Sequence, residues 1–129
     1  VTRTSGSAER GAAVSEFALL AGLVSILLLA AMQLAFVLHV HNTTTAHVLE
    51  GARLGARADS TPEAGAQRAT DLLRDSLPGS GGVSVSAGRT QVGGVQVVEV
   101  TALVRLPVFG PFGPGEAMTV TAHAYAEDQ

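Results

Sequence analysis

The sequence predicts an α+β fold: a long N-terminal transmembrane helix, a short second helix, and a small antiparallel three-stranded sheet. Three observations predict it. An apolar run without formal charge extends from Phe17 to Val40. A stop-and-restart pattern follows at Asp59–Glu63. Period-two alternation then fills most of the chain beyond Gly82.

The apolar run, FALLAGLVSILLLAAMQLAFVLHV, contains no Asp, Glu, Lys or Arg. A bilayer core needs about 20 apolar helical residues, so this run is long enough to span it. A helix satisfies its own backbone hydrogen bonds in lipid, which an isolated strand cannot do. Ser25, Gln33 and His39 are its strongly polar members. Arg3 and Arg10 precede the span and the next formal charge after it is Glu50. The positive-inside rule therefore sets the N-terminus in the cytoplasm and the remainder outside it. Residues 1–11 read as a cytoplasmic leader, polar, without periodicity and disordered as far as residue 10. Residues 12–58 read as one helix, with its transmembrane part at about 17–40, and 59–129 as an extracytoplasmic domain.

Beyond the span, HNTTTAHVLEGARLGARA contains no Pro, and Val48, Ala52 and Ala56 recur at i, i+4. Gly51, Gly55 and the run Thr43-Thr44-Thr45 are soft spots in that helix. Ser60 and Glu63 have capping-box spacing around Pro62, which suits a first helical turn. The second helix is expected to reach about Leu77, with Ala66, Ala69, Leu72, Leu73 and Leu77 on its apolar face and Arg68, Asp71, Arg74 and Asp75 towards solvent. Pro78-Gly79-Ser80-Gly81-Gly82 ends it.

Three runs then alternate. Val83, Val85 and Ala87 share one face. So do Val98, Val100, Ala102, Val104 and Leu106, with Glu99, Thr101 and Arg105 opposite. Met118, Val120, Ala122 and Ala124 oppose Thr119, Thr121, His123 and Tyr125. Such alternation marks strands with one buried face. Gly93-Gly94 and PVFGPFGPGE are the connecting turns.

Composition narrows the function. The 129 residues carry a net charge of −3, too mild to suggest a nucleic-acid partner. Hydrophobic residues make up 47% while aromatics supply 4%, so the apolar content is mostly Ala, Val and Leu. The mean hydropathy of +0.33 is high for a soluble domain and directs attention to the apolar run. Cys is absent, which excludes disulfides, thiolate metal sites and Cys nucleophiles. A small domain without staples is expected to lean on its membrane helix or on neighbours in an assembly.

The informative motif stands at the membrane border: Arg10-Gly11-Ala12-Ala13-Val14-Ser15-Glu16-Phe17. It resembles the processing site of type IV prepilin-like proteins, in which a short basic leader ends in Gly, a membrane aspartyl peptidase cuts after it, and Glu occupies the fifth mature position. The resemblance implies cleavage between Gly11 and Ala12, with Glu16 fifth and a new amine on Ala12. The residues fit that chemistry. Glycine lets an extended backbone enter a protease cleft. A carboxylate at the edge of an apolar run is costly if it goes deep, about 2.5–3.5 kcal/mol for Asp at a helix centre, and calls for a partner such as a neighbouring subunit's new amine. Glu16 is thus the assembly candidate. The competing view leaves its carboxylate in interfacial water.

More narrowly, RGAAVSEFAL is similar to the N-terminal pattern of the TadE-like family, minor pseudopilins of bacterial tight-adherence (Flp-type) pili. EGARLGARA matches the small-residue cluster these proteins carry after the long helix. The resemblance covers residues 10–58 well and the strand-rich remainder in outline. Phe17 departs from the Tyr common after this Glu in some members. The resemblance implies a role in priming or assembling a pilus and not catalysis. The implied partners are a prepilin peptidase, other pilin or pseudopilin subunits, an inner-membrane assembly platform and the lipid bilayer. Major Flp pilins are shorter and lack a folded domain, so the sheet argues for a minor subunit.

Other residues carry less. Ala18 and Gly22, with Ser25 near the same face, have small-xxx-small spacing suited to a close helix interface, although Ala and Gly are common throughout this chain. His39, His41 and His47 lack ligand spacing and a nearby carboxylate, so no metal or other cofactor is expected. Ser84 and Ser86 have no nucleophile-elbow context and no phosphate-binding Gly loop is present, so no enzyme is expected. Glu99 and Arg105 read as a solvated face. Phe109 and Phe112 read as core residues, with loop docking as the alternative. Two further functions compete with the pilin-like one. An anchored extracytoplasmic binding module that never assembles would retain the uncut chain. A secreted domain would need a cleavable signal, which the apolar run exceeds in length.

Overall fold

The structure is a computed structural model that describes residues 5–77, 82–106 and 117–127. The expected turn residues 78–81, the loop carrying Phe109 and Phe112, and Arg3 lie outside the described residues. Two helices, α1 (Ser5–Gly55) and α2 (Pro62–Ser76), precede three strands, β1 (Val83–Val92), β2 (Val95–Arg105) and β3 (Ala117–Tyr125). The α+β architecture, the long apolar helix, the short second helix and the three-stranded antiparallel sheet are all as the sequence predicts.

The chain divides into two compact units, Val1–Phe36 and Val37–Gln129. The first consists of the apolar part of α1. Its mean hydropathy reaches 2.4 over the most apolar stretch, none of which is buried within the chain. Phe17, Leu20, Leu23, Ile26, Leu27 and Leu34 are all exposed. By length and composition α1 is a candidate membrane anchor.

The helix starts at Ser5, ahead of the expected Ala12. The disordered reading of the residues before it therefore fails for 5–10. Ala8, Glu9 and Arg10 are good helix formers, and adding turns to a nucleated helix escapes the nucleation cost. At its other end α1 stops at Gly55, short of Ala58. There the ladder tightens: Ala56 N–H donates to Ala52 C=O at 3.0 Å, but Arg57 N–H donates to Leu54 C=O at 3.3 Å. That i→i−3 bond is the usual way a helix end uses its orphan groups.

In the second unit, α1 buries a stripe of Val40, Thr44, Val48, Ala52 and Ala56 at four-residue spacing. Helix α2 buries Pro62, Gly65, Ala69 and Leu73, with Leu77 just beyond its end. Ala66 and Leu72 are half-buried, and Arg68, Asp71, Arg74 and Asp75 are exposed. The cap is set one residue later than Ser60. Thr61 is the N-cap, and its Oγ1 accepts from Ala64 N–H at 3.2 Å. The residue three positions on is Ala64, which has no side chain to bond back, so the capping box expected from Ser60 and Glu63 does not form.

The sheet order is β1-β2-β3, with both pairs antiparallel. Val98, Val100, Ala102 and Val104 are fully buried on the central strand, and Val120 of β3 nearly so. Val97, on the other parity and in register with Thr90 and Tyr125, is buried as well. Leu106 falls outside β2 and is half-buried. Both registers run without interruption, so neither pair holds a bulge. Gly93 and Gly94 turn the first hairpin with φ of 60° and 83°. A two-residue hairpin of that hand needs positive φ at both positions, which glycine adopts without strain.

Candidate functional site at the N-terminal end of α1

The residues singled out from the sequence all lie along the exposed N-terminal part of α1. Gly11 and Ala12 are inside the helix, not before it. The bond between them is thus held in helical geometry, and a protease that binds extended backbone must first unwind it. Two features lower that barrier. The bond is near the helix end, where fraying is cheap, and Gly11 destabilises helix by about 1 kcal/mol relative to Ala.

Glycines elsewhere supply the contrast that gives Gly11 meaning. A Cβ built on Gly51 would come within 2.5 Å of the Gly65 carbonyl oxygen and 2.8 Å of Ala69 Cβ. A Cβ on Gly65 would collide with the Gly51 carbonyl oxygen and reach 3.1 Å from Gly55 Cα. A Cβ on Gly55 would come to 3.2 Å from Pro62 Cα and 3.3 Å from Val98 Cγ1. These three glycines exist so that α1 and α2 can cross in backbone contact. A Cβ on Gly11 or Gly22 would meet nothing within 4 Å. Packing among the described residues therefore does not explain a glycine at either position.

Glu16 is exposed, with the apolar run immediately after it. Ser15 Oγ donates to Ala12 C=O at 2.7 Å, and Ser25 Oγ donates to Ala21 C=O at 2.7 Å. Both hydroxyls are satisfied on their own helix, so Ser25 offers a neighbour small size more than a free donor. At about 100° per residue, Ala18, Gly22 and Ser25 fall within roughly 60° of arc, and Glu16 lies about 160° from Ala18. The structure thus brings the three small residues to one side and leaves the carboxylate on nearly the opposite one.

Several polar contacts were not readable from the sequence. His47 Nε2 and Ser76 Oγ are 2.8 Å apart, joining α1 to the end of α2. His123 Nε2 lies 2.8 Å from Glu99 Oε2 on the outer sheet face, both groups 44% exposed. Thr101 and Thr121 hydroxyls form the next rung at 3.0 Å. The registers Glu99↔His123 and Thr101↔Thr121 produce both rungs, and register is not a local property of sequence. Thr44 Oγ1 is buried without a hydrogen-bond partner among the described residues. Among the described residues, no three His, Asp or Glu side chains group as metal ligands would.

Residues 11–53 match the family model described as TadE-like protein. The match begins at Gly11, takes in the apolar run and stops within the glycine crossing. No curated protein and no solved structure matches the chain.

Proposed function

We propose, from a chain with a TadE-like segment at residues 11–53, that this protein is a minor pilin-like subunit of a tight-adherence (Flp, type IVc) pilus. In this reading it acts in priming or assembling the fibre and catalyses nothing itself. A prepilin peptidase hydrolyses the Gly11–Ala12 bond, leaving a carboxylate on Gly11 and an amine on Ala12. The N-terminus faces the cytoplasm, α1 anchors the subunit in the inner membrane, and the second unit works outside the cytoplasm. Glu16 then accepts the Ala12 amine of a neighbouring subunit and sets the register of one helix against the next. The partners are other pilin or pseudopilin subunits and the membrane platform that assembles them.

The observation that carries this reading is Gly11. It is a helical glycine where an added Cβ would meet nothing within 4 Å, at the first residue of the family match, five positions before a carboxylate at the edge of an apolar helix. Packing among the described residues gives no reason for glycine there, and recognition by a peptidase supplies one in this reading.

N-terminal sequencing of the chain, recovered from cells that hold a prepilin peptidase, tests the reading. Ala12 as first residue is the expected result, with Gly11→Leu blocking the cut. An intact chain in the same cells would replace the reading with that of a plain membrane-anchored binding module. A start near residues 35–45 would point to a secreted domain.

A further inference from the structure

The helical turns on either side of the Gly11–Ala12 bond are built from different residues. Residues 5–11, SGSAERG, hold four Gly or Ser in seven positions, both weaker helix formers than Ala. The first turn of α1 carries no acidic residue to complement the positive end of the helix. Glu9, Arg10 and Gly11 are exposed, so ladder bonds and not packing hold that end. Behind the bond, no Gly occurs from Ala12 to Ala21. The first carbonyl of that stretch is also held twice. Ala12 C=O accepts Glu16 N–H in the helical ladder and Ser15 Oγ at 2.7 Å.

The bond to be cut is engaged at both of its ends. In the helix Gly11 C=O accepts from Ser15 N–H, and Ala12 N–H donates to Ala8 C=O. Hydrolysis adds the oxygen of water to the Gly11 carbonyl carbon, breaks the C–N bond and leaves a water proton on the Ala12 nitrogen. An extended backbone in a protease cleft has given up both ladder bonds beforehand.

We propose that residues 5–11 form a helical gate that opens as far as Ala12 and stops there, and that the fraction of open chains sets the rate of cleavage at Gly11–Ala12. This rests on the processing assigned under the proposed function and adds what regulates it. Unwinding 5–11 leaves a helix that begins at Ala12. The four N–H groups of Ala12, Ala13, Val14 and Ser15 then lose their acceptors, which belong to Ala8, Glu9, Arg10 and Gly11. Glu16 N–H keeps its acceptor on Ala12, the carbonyl that Ser15 Oγ also holds. The stable part of the helix thus starts at the first residue after the cut. The segment ahead of it withholds the bond from proteases at large and yields it to one that captures the open form.

The test uses the full chain in vesicles, with two variants that leave Arg10, Gly11, Ala12 and Glu16 in place. Gly6→Ala combined with Ser7→Ala strengthens the gate and should lower the open fraction about tenfold. Glu9→Pro breaks its ladder, because proline lacks the N–H and clashes with the carbonyl four residues back, and should raise the open fraction. Hydrogen exchange on the uncut chain, before any peptidase is added, reads local opening directly. Amides up to Ser15 should exchange fast and those from Glu16 onwards slowly, with the fast set slowed in the double alanine variant and quickened in Glu9→Pro. A prepilin peptidase added afterwards should cut the three chains in that same order, the double alanine variant about tenfold more slowly than the parent chain. Protection without a step between Ser15 and Glu16, or cleavage rates that do not follow the exchange rates, would overturn the gate. Equal cutting of all three chains would remove this inference alone, whereas a parent chain that is never cut would remove it together with the processing reading.

Discussion

Gly65 sits so close to Gly51 that a methyl group on Gly65 would overlap the Gly51 carbonyl oxygen. The atom in the way belongs to backbone, which cannot step aside as a side chain can. Gly65→Ala gains about 1 kcal/mol of helix propensity. It meets an overpacking cost of about 1–3 kcal/mol, weighted here to the upper end. We expect a net loss of about 1–2 kcal/mol, seen as a lower melting temperature of the full chain in detergent by circular dichroism. Gly22→Ala, with open space around it, should show no such loss.

Thr61→Ala should cost about 1 kcal/mol, because Thr61 Oγ1 satisfies the Ala64 N–H at the start of α2. Ser60→Ala should cost almost nothing. The same melting experiment on the two variants distinguishes the cap seen in the structure from the one the sequence suggested. Equal losses would contradict the assignment.

Much of this architecture was legible because it depends on local pattern. The apolar run, the four-residue stripe Val48-Ala52-Ala56 and the alternation through Val98–Val104 each follow from one element's own periodicity. The cap was misplaced by one residue because Ser60 and Thr61 are both good N-caps, and the choice is made by which residue precedes Pro62. Gly51 and Gly55 read as weak points in a helix, since their benefit arises only when α2 arrives with Gly65. The candidate residues Gly11, Ala12, Glu16, Ala18, Gly22 and Ser25 were visible as motifs. All six are exposed, so their proposed roles are tested by other molecules.

Thr44 is buried on α1, yet its hydroxyl has no partner among the described residues. An unpaired buried hydroxyl costs about 1–3 kcal/mol. Thr44→Val keeps the shape and removes the polar group, so it should stabilise the fold by about 1 kcal/mol in chemical denaturation. A loss of stability in that variant would reveal a partner for the hydroxyl.

Glu16→Ala should leave membrane insertion intact, since it removes a charge from the edge of an apolar helix. It should impair pilus formation if the carboxylate receives a neighbour's amine. Membrane fractionation and electron microscopy of the variant read the two effects separately. Normal pili with Glu16→Ala would remove the proposed pairing while leaving the cleavage assignment untouched.

The bond from Glu127 N–H to Ala56 C=O joins the last described strand to the end of the first helix. Hairpins close in about 1–10 μs, and the Gly93-Gly94 turn favours early closure of β1 on β2. The tie to α1 spans most of the sequence and forms late for that reason, because distant segments meet slowly. A chain still being synthesised would therefore carry a half-built sheet with an open flank until its final strand arrives.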